Sequence, residues 1–130
     1  MSTRQARLPI ALLVSVLSVT GGCRNPRQVD YSVSSLVKTL KEDKDPNMRY
    51  WAAESLGKFG PEAQAAVPDL IAALKDESKM VRMGAAYALG EIGSTDAVPA
   101  LQEAAKDSET EVRDAAATAT KQIRQKGKKR

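Results

Sequence analysis

One ten-residue phrase is written three times in this chain. Met48-Arg49-Tyr50-Trp51-Ala52-Ala53-Glu54-Ser55-Leu56-Gly57 returns as Val81-Arg82-Met83-Gly84-Ala85-Ala86-Tyr87-Ala88-Leu89-Gly90. It returns again, eroded, as Val112-Arg113-Asp114-Ala115-Ala116-Ala117-Thr118-Ala119-Thr120-Lys121. The three arginines stand 33 and 31 residues apart. A repeat of that length marks a stacked solenoid, in which one unit cannot bury its apolar face alone and neighbours bury it for one another.

Each unit divides into two helices. In the first unit Asp30 or Ser32 can cap a helix that places Val33, Leu36, Val37 and Leu40 on one face. Val67-Pro68 and Val98-Pro99 open the matching helices of the other units, with proline where a backbone N–H has no partner inside the helix. The second helices are expected to start at Asp45, at Ser78 and at the capping-box run Ser108-Glu109-Thr110-Glu111. Gly60-Pro61 and Gly93 stop the first two of these. No stretch alternates as a strand does. The expected fold is therefore all-α, a short α-solenoid of three helical hairpins at about 31–62, 63–95 and 96–125. Leu36, Leu40, Leu56, Leu70, Leu74, Leu89, Ile92, Leu101 and Ile123 are its expected core.

Aromatic residues make up only 4% of the chain, and alanine supplies much of the 42% that is hydrophobic. Such a composition favours helices that approach closely over small side chains. There is no histidine and one cysteine. That removes the usual zinc sites, the Ser/His and Cys/His catalytic pairs and any intrachain disulfide. No nucleophile has a supporting base. The expectation is a protein that is not an enzyme, with no catalytic residue, no metal and no cofactor.

Net charge is +4, unevenly spread. Residues 1–22 hold Arg4 and Arg7 without an acid, and residues 121–130 hold six basic residues without an acid. All sixteen acids and the other twelve basic residues lie between, giving the repeats a net charge near −4. The positive total therefore does not mark a nucleic-acid-binding body. Residues 126–130 read as a solvated basic tail.

The N-terminus reads as an address. Met1–Arg7 is basic, Leu8–Thr20 is mostly apolar and uncharged, and Gly21-Gly22-Cys23 closes the segment. This is the layout of an export signal, and thirteen helical residues reach only about 20 Å, short of a bilayer core. The ending resembles the lipobox of bacterial lipoproteins, although Thr20 stands where leucine is usual. The resemblance implies cleavage after residue 22, a lipid on Cys23, a tether over 23–30, and a protein facing the periplasm or exterior. A plain secretory signal with a free thiol, or a short uncleaved anchor, is the alternative, with a cytosolic protein behind it.

Asp43 and Arg49, Asp76 and Arg82, and Asp107 and Arg113 keep one six-residue spacing. With the Ala-Leu-Gly that follows, this pattern resembles HEAT repeats, in particular the bacterial HEAT-like repeats also seen in phycobilin lyases. The resemblance implies that these residues form a structural ladder: each aspartate satisfies a helix start, and each arginine ties neighbouring repeats together. It also implies that the second helices line a concave face, where Tyr50, Glu54, Lys58, Met83, Tyr87, Glu91, Asp114, Thr118 and Gln122 would meet a partner. Tyr50, Met83 and Tyr87 would form its apolar centre. An ordinary solvated helix face is the alternative.

The expected function is a non-enzymatic protein–protein interaction scaffold, held in the bacterial cell envelope by a lipid and binding a protein of unknown identity. The alternative is a phycobilin-lyase-like or other enzyme-assisting HEAT-like subunit.

Overall fold

A computed structural model describes residues 30–130, so the address segment and Cys23 lie outside the described residues. Ser32 opens helix α1 (Val33–Glu42) by accepting from the Ser35 N–H at 3.2 Å. Leu36 and Leu40, four apart, are its buried residues. Helix α2 (Pro46–Lys58) starts from Asp45, whose carboxylate accepts from the Asn47 N–H at 2.9 Å. It buries Ala52, Ala53, Leu56 and Gly57. The pattern then repeats as α3 (Val67–Ala73) with α4 (Lys79–Ile92), and as α5 (Val98–Ala104) with α6 (Thr110–Lys128). Among the described residues there are six α-helices and no strand. The fold is an all-α stack of hairpins.

The second helices α2, α4 and α6 pack side by side as one layer, and this is the densest packing in the molecule. The first helices lie against them. The Leu-Gly at the end of the repeated phrase has a direct cause here. A Cβ on Gly57 would lie 2.9 Å from the Ala88 Cα, and one on Gly90 would lie 2.9 Å from the Ala119 Cα. Both glycines mark where one second helix touches the backbone of the next. More than half of the buried apolar residues are alanine, for the same reason. The nine residues expected in the core are all buried.

Three local features differ from the sequence reading. The capping box at Ser108 does not form: α6 begins at Thr110, and Asp107 accepts the Glu109 N–H at 2.9 Å instead. Asp76 does the same for the Ser78 N–H at 2.9 Å, and the Ser78 side chain makes no capping bond. In both turns the aspartate also accepts from an arginine of the preceding hairpin.

Second, 3₁₀ segments at Gly60–Ala66 and Thr95–Ala97 join the hairpins. Their alanine-rich sequence carries no periodicity to reveal them. Third, α6 continues to Lys128, through most of the segment read as a basic tail. Lys126 anchors it by donating to the carbonyls of Gly90, at 3.2 Å, and Glu91. The end of α4 presents these carbonyls without helical partners, so a cation is favoured there.

Candidate functional site

The turns between paired helices carry a chain of charge-assisted bonds. Arg49 Nη1 donates to the carbonyls of Asp43, at 2.9 Å, and Lys44, at 3.2 Å, in its own turn. Its Nε and Nη2 donate to the two carboxylate oxygens of Asp76 at 2.9 and 3.0 Å. Arg82 repeats this geometry, to the carbonyls of Asp76 and Glu77 and to Asp107 at 2.9 and 3.2 Å. Such two-point pairing of guanidinium with carboxylate fixes orientation as well as distance. Arg49 is the most deeply placed of these side chains, with 7% of the residue exposed.

The electrostatics follow from the contacts. The hydrogen bond to Asp76 raises Arg49 above its ordinary range, against the opposing effect of burial. Burial pushes the Asp76 carboxyl up, but the bonds from Arg49 and the Ser78 N–H together outweigh it and hold the group below the usual carboxylate range. Asp107 is also lowered, first by the Glu109 N–H and then, against burial, by Arg82. Every acceptor here is occupied within the fold, so the paired rungs offer no free base for proton transfer.

Arg113 and Asp43 stand apart from the paired rungs. Arg113 Nη1 donates to the carbonyls of Asp107 and Ser108 at 2.8 and 2.9 Å, and its Nη2 to Thr110 Oγ1 at 2.8 Å. Asp43 accepts from the Asp45 N–H at 2.9 Å.

The row of variable positions on the second helices is divided by burial. Glu54, Lys58, Tyr87, Glu91, Asp114 and Thr118 are exposed, while Tyr50, Met83 and Gln122 are half-buried. Tyr50 lies over Gly84, where an added Cβ would come within 2.8 Å of its ring. Tyr50 and Met83 pack against the core, and of the row's two tyrosines Tyr87 is the one open to water. Glu54 and Lys58 form an ion pair at 3.8 Å, and Gln122 Nε2 donates to Glu91 Oε1 at 3.2 Å. A shallow hollow of about 230 Å³ lies among Glu54, Gly57, Lys58, Tyr87, Ala88 and Glu91. Trp51, one place round the helix, meets Tyr31 edge to face at 5.7 Å between ring centres.

A larger groove of about 530 Å³ lies on the other layer, between α3 and α5. Ile71, Leu74, Pro99, Ala100 and Ala104 give it apolar walls, with Arg82 and its two aspartates at one end. The sequence reading missed it, because its walls come from two different repeats. Among the described residues no cluster of three or more potential metal-ligating side chains occurs.

Comparison with known proteins decides the family. Residues 33–121 match the model for HEAT repeats. The chain belongs to the HEAT-repeat family. Two curated members resemble it in particular. The phycocyanobilin lyase subunit alpha of Nostoc sp. (strain PCC 7120) is 38% identical over 92 residues, which cover 65% of this chain and 33% of that protein. The subunit alpha of Thermosynechococcus vestitus is 45% identical over 84 residues, covering 55% of this chain and 30% of that protein. Among solved structures, the complex of CpcE and CpcF of phycocyanin lyase from Nostoc sp. PCC7120 contains a similar chain. It aligns with a TM-score of 0.68 at 32% identity, over 80% of this chain and 41% of that one. This HEAT-repeat chain thus spans about a third of the length of the curated relatives it matches.

These relatives correct the functional expectation. The interaction scaffold as the main reading is overturned by likeness to several lyase subunits, which favours the alternative of a phycobilin-lyase-like subunit. A missing nucleophile–base pair carries no weight against an enzyme-assisting subunit. A repeat module can contribute a shaped surface to an assembly whose reactive groups stand elsewhere.

Proposed function

We propose that this chain is a phycobilin-lyase-like subunit, an enzyme-assisting HEAT-type module that acts together with a protein partner on a phycobilin. The observation that carries the reading is the joint likeness in sequence and fold to lyase subunits, 38% identity to one and a TM-score of 0.68 to a member of a two-subunit complex. The geometry supports the module's part in it. A stack braced by paired arginines presents preformed surfaces, so little conformational freedom is lost when a partner binds.

The test is a reconstitution. Phycocyanobilin and apo-phycocyanin are incubated with Nostoc CpcF and either this chain or CpcE, and covalent bilin is followed by absorbance on the denatured acceptor. Bilin attachment faster than in the mixture lacking this chain supports the reading. A rate equal to that background rejects it.

Residues 1–23 carry a separate proposal about place, namely export and acylation at Cys23. Metabolic labelling with an alkyne fatty acid checks it, with Cys23→Ser as the comparison. Equal labelling of the two would reject acylation at this site.

A further inference from the structure

The third hairpin is rebuilt on the side where the first two hold a neighbour. In the second hairpin Leu74, Ala86, Leu89 and Gly90 are buried, and Gly90 lies against Ala119 of α6. At the repeat spacing, Ala105, Ala117, Thr120 and Lys121 take those four positions. Losing two leucines removes apolar bulk and leaves a groove of about 500 Å³ between α5 and α6. Lys121, Arg124 and Lys128 line it together with glutamine, alanine and threonine, and no acid does. A lysine where glycine admits the next helix opposes stacking of another hairpin of the first two kinds.

Arg113, at the turn between α5 and α6, is a further cation of the third hairpin. Arg49 and Arg82 each give Nε and Nη2 to the aspartate of the following hairpin. Arg113 turns Nη2 back to Thr110, and among the described residues its Nε donates to no acceptor.

We propose that this face of the third hairpin docks an acidic helical segment of a partner protein. One carboxylate of that segment takes Arg113 as Asp76 takes Arg49, and further acids face Lys121, Arg124 and Lys128. Charge complementarity decides the occupant: three cations and no acid line the groove, and with Arg113 in the turn between α5 and α6 they suit an anionic surface. The groove has no aromatic lining, which opposes the base stacking that single-stranded nucleic acid uses. The inference rests on the proposed function only in requiring a protein partner.

The experiment uses the full chain and three fluorescein-labelled probes: a helical Glu/Ala peptide, its Gln/Ala counterpart and a single-stranded RNA. At low ionic strength the Glu/Ala peptide binds and the Gln/Ala peptide does not. Lys121→Glu with Arg124→Glu weakens binding about tenfold or more, whereas Lys44→Glu with Lys75→Glu, an equal change in net charge, alters it less than about twofold. Arg113→Ala weakens it, and Arg113→Lys restores only part. Carbodiimide coupling joins the peptide to Lys121 or Lys128, read by mass spectrometry. If the reversed-charge pair melts early, Lys121→Gln with Arg124→Gln replaces it.

The proposal is overturned by absent binding, by equal loss in both charge-reversed proteins, by coupling elsewhere, or by tighter groove-dependent binding of RNA. Loss of bilin attachment with the cross-link retained would sink the lyase reading alone.

Discussion

Arg49 grips Asp76 across 27 residues of chain, with Nε and Nη2 each within 3.0 Å of a carboxylate oxygen. The same guanidinium holds the carbonyl of Asp43 in its own turn. One side chain therefore closes a turn and ties that turn to the next. Asp76 in its place satisfies the start of α4.

Removing the second such arginine should loosen the stack. In Arg82→Ala the carboxylate of Asp107, largely shielded from water, keeps only the Glu109 N–H, and the carbonyl of Asp76 loses the Arg82 donor. The expected cost is about 1–3 kcal/mol. Arg82→Lys recovers only part, because an ammonium cannot pair at two points. Urea denaturation of the three proteins measures this, and equal midpoints would show the bond to be dispensable.

Acid should weaken the fold through Asp76 and Asp107. Both carboxyls are held below their ordinary range, so the folded protein binds their protons less readily than the unfolded chain does. Their contribution is fully present above the unfolded value near 3.9 and is lost as pH falls through the lowered folded values. Unfolding free energy measured between about pH 6 and pH 3 should decline more steeply for the native protein than for Asp107→Asn.

Two glycines in helices should respond in opposite directions to the same change. Gly57→Ala drives a methyl group into the backbone at Ala88, which cannot move without separating α2 from α4. Overpacking of this kind costs about 1–3 kcal/mol, against at most about 1 kcal/mol gained in helix propensity. Gly127→Ala meets nothing within 4 Å and should leave the protein slightly more stable. Melting temperatures that move the same way in both would contradict the close approach.

The two tyrosines on the second-helix row should also separate. Tyr87, 49% exposed, can become alanine with a stability change within about 0.5 kcal/mol. Tyr50→Ala uncovers Gly84 and should cost measurably more. Leu89→Ala, deep in the core, should cost about 2–5 kcal/mol. Thermal melts followed by circular dichroism rank the three, and a Tyr87→Ala melt as low as that of Tyr50→Ala would show both rings to be structural.

Much of the fold was legible because the helix repeat and the stack repeat both leave periodic traces. Leu36 and Leu40, or Leu70 and Leu74, declare one buried face by spacing alone. The candidate site was less legible. The six-residue spacing of Asp76 and Arg82 does not say which carboxylate Arg82 meets; in the fold it is Asp107 of the following hairpin. The groove between α3 and α5 left no trace, since Ile71 and Ala100 come together only when two hairpins stack.

Sequence by itself determined the number of hairpins, their helical class and the small residues at their contacts, because each follows from local propensity and periodic burial. Tertiary structure decided which carboxylate each arginine pairs with, which of the variable side chains reach water, and that α6 carries Lys126 to the end of α4. Those outcomes depend on groups about 25 to 36 residues apart being brought within hydrogen-bonding distance. Only the packed arrangement of neighbouring repeats sets that distance.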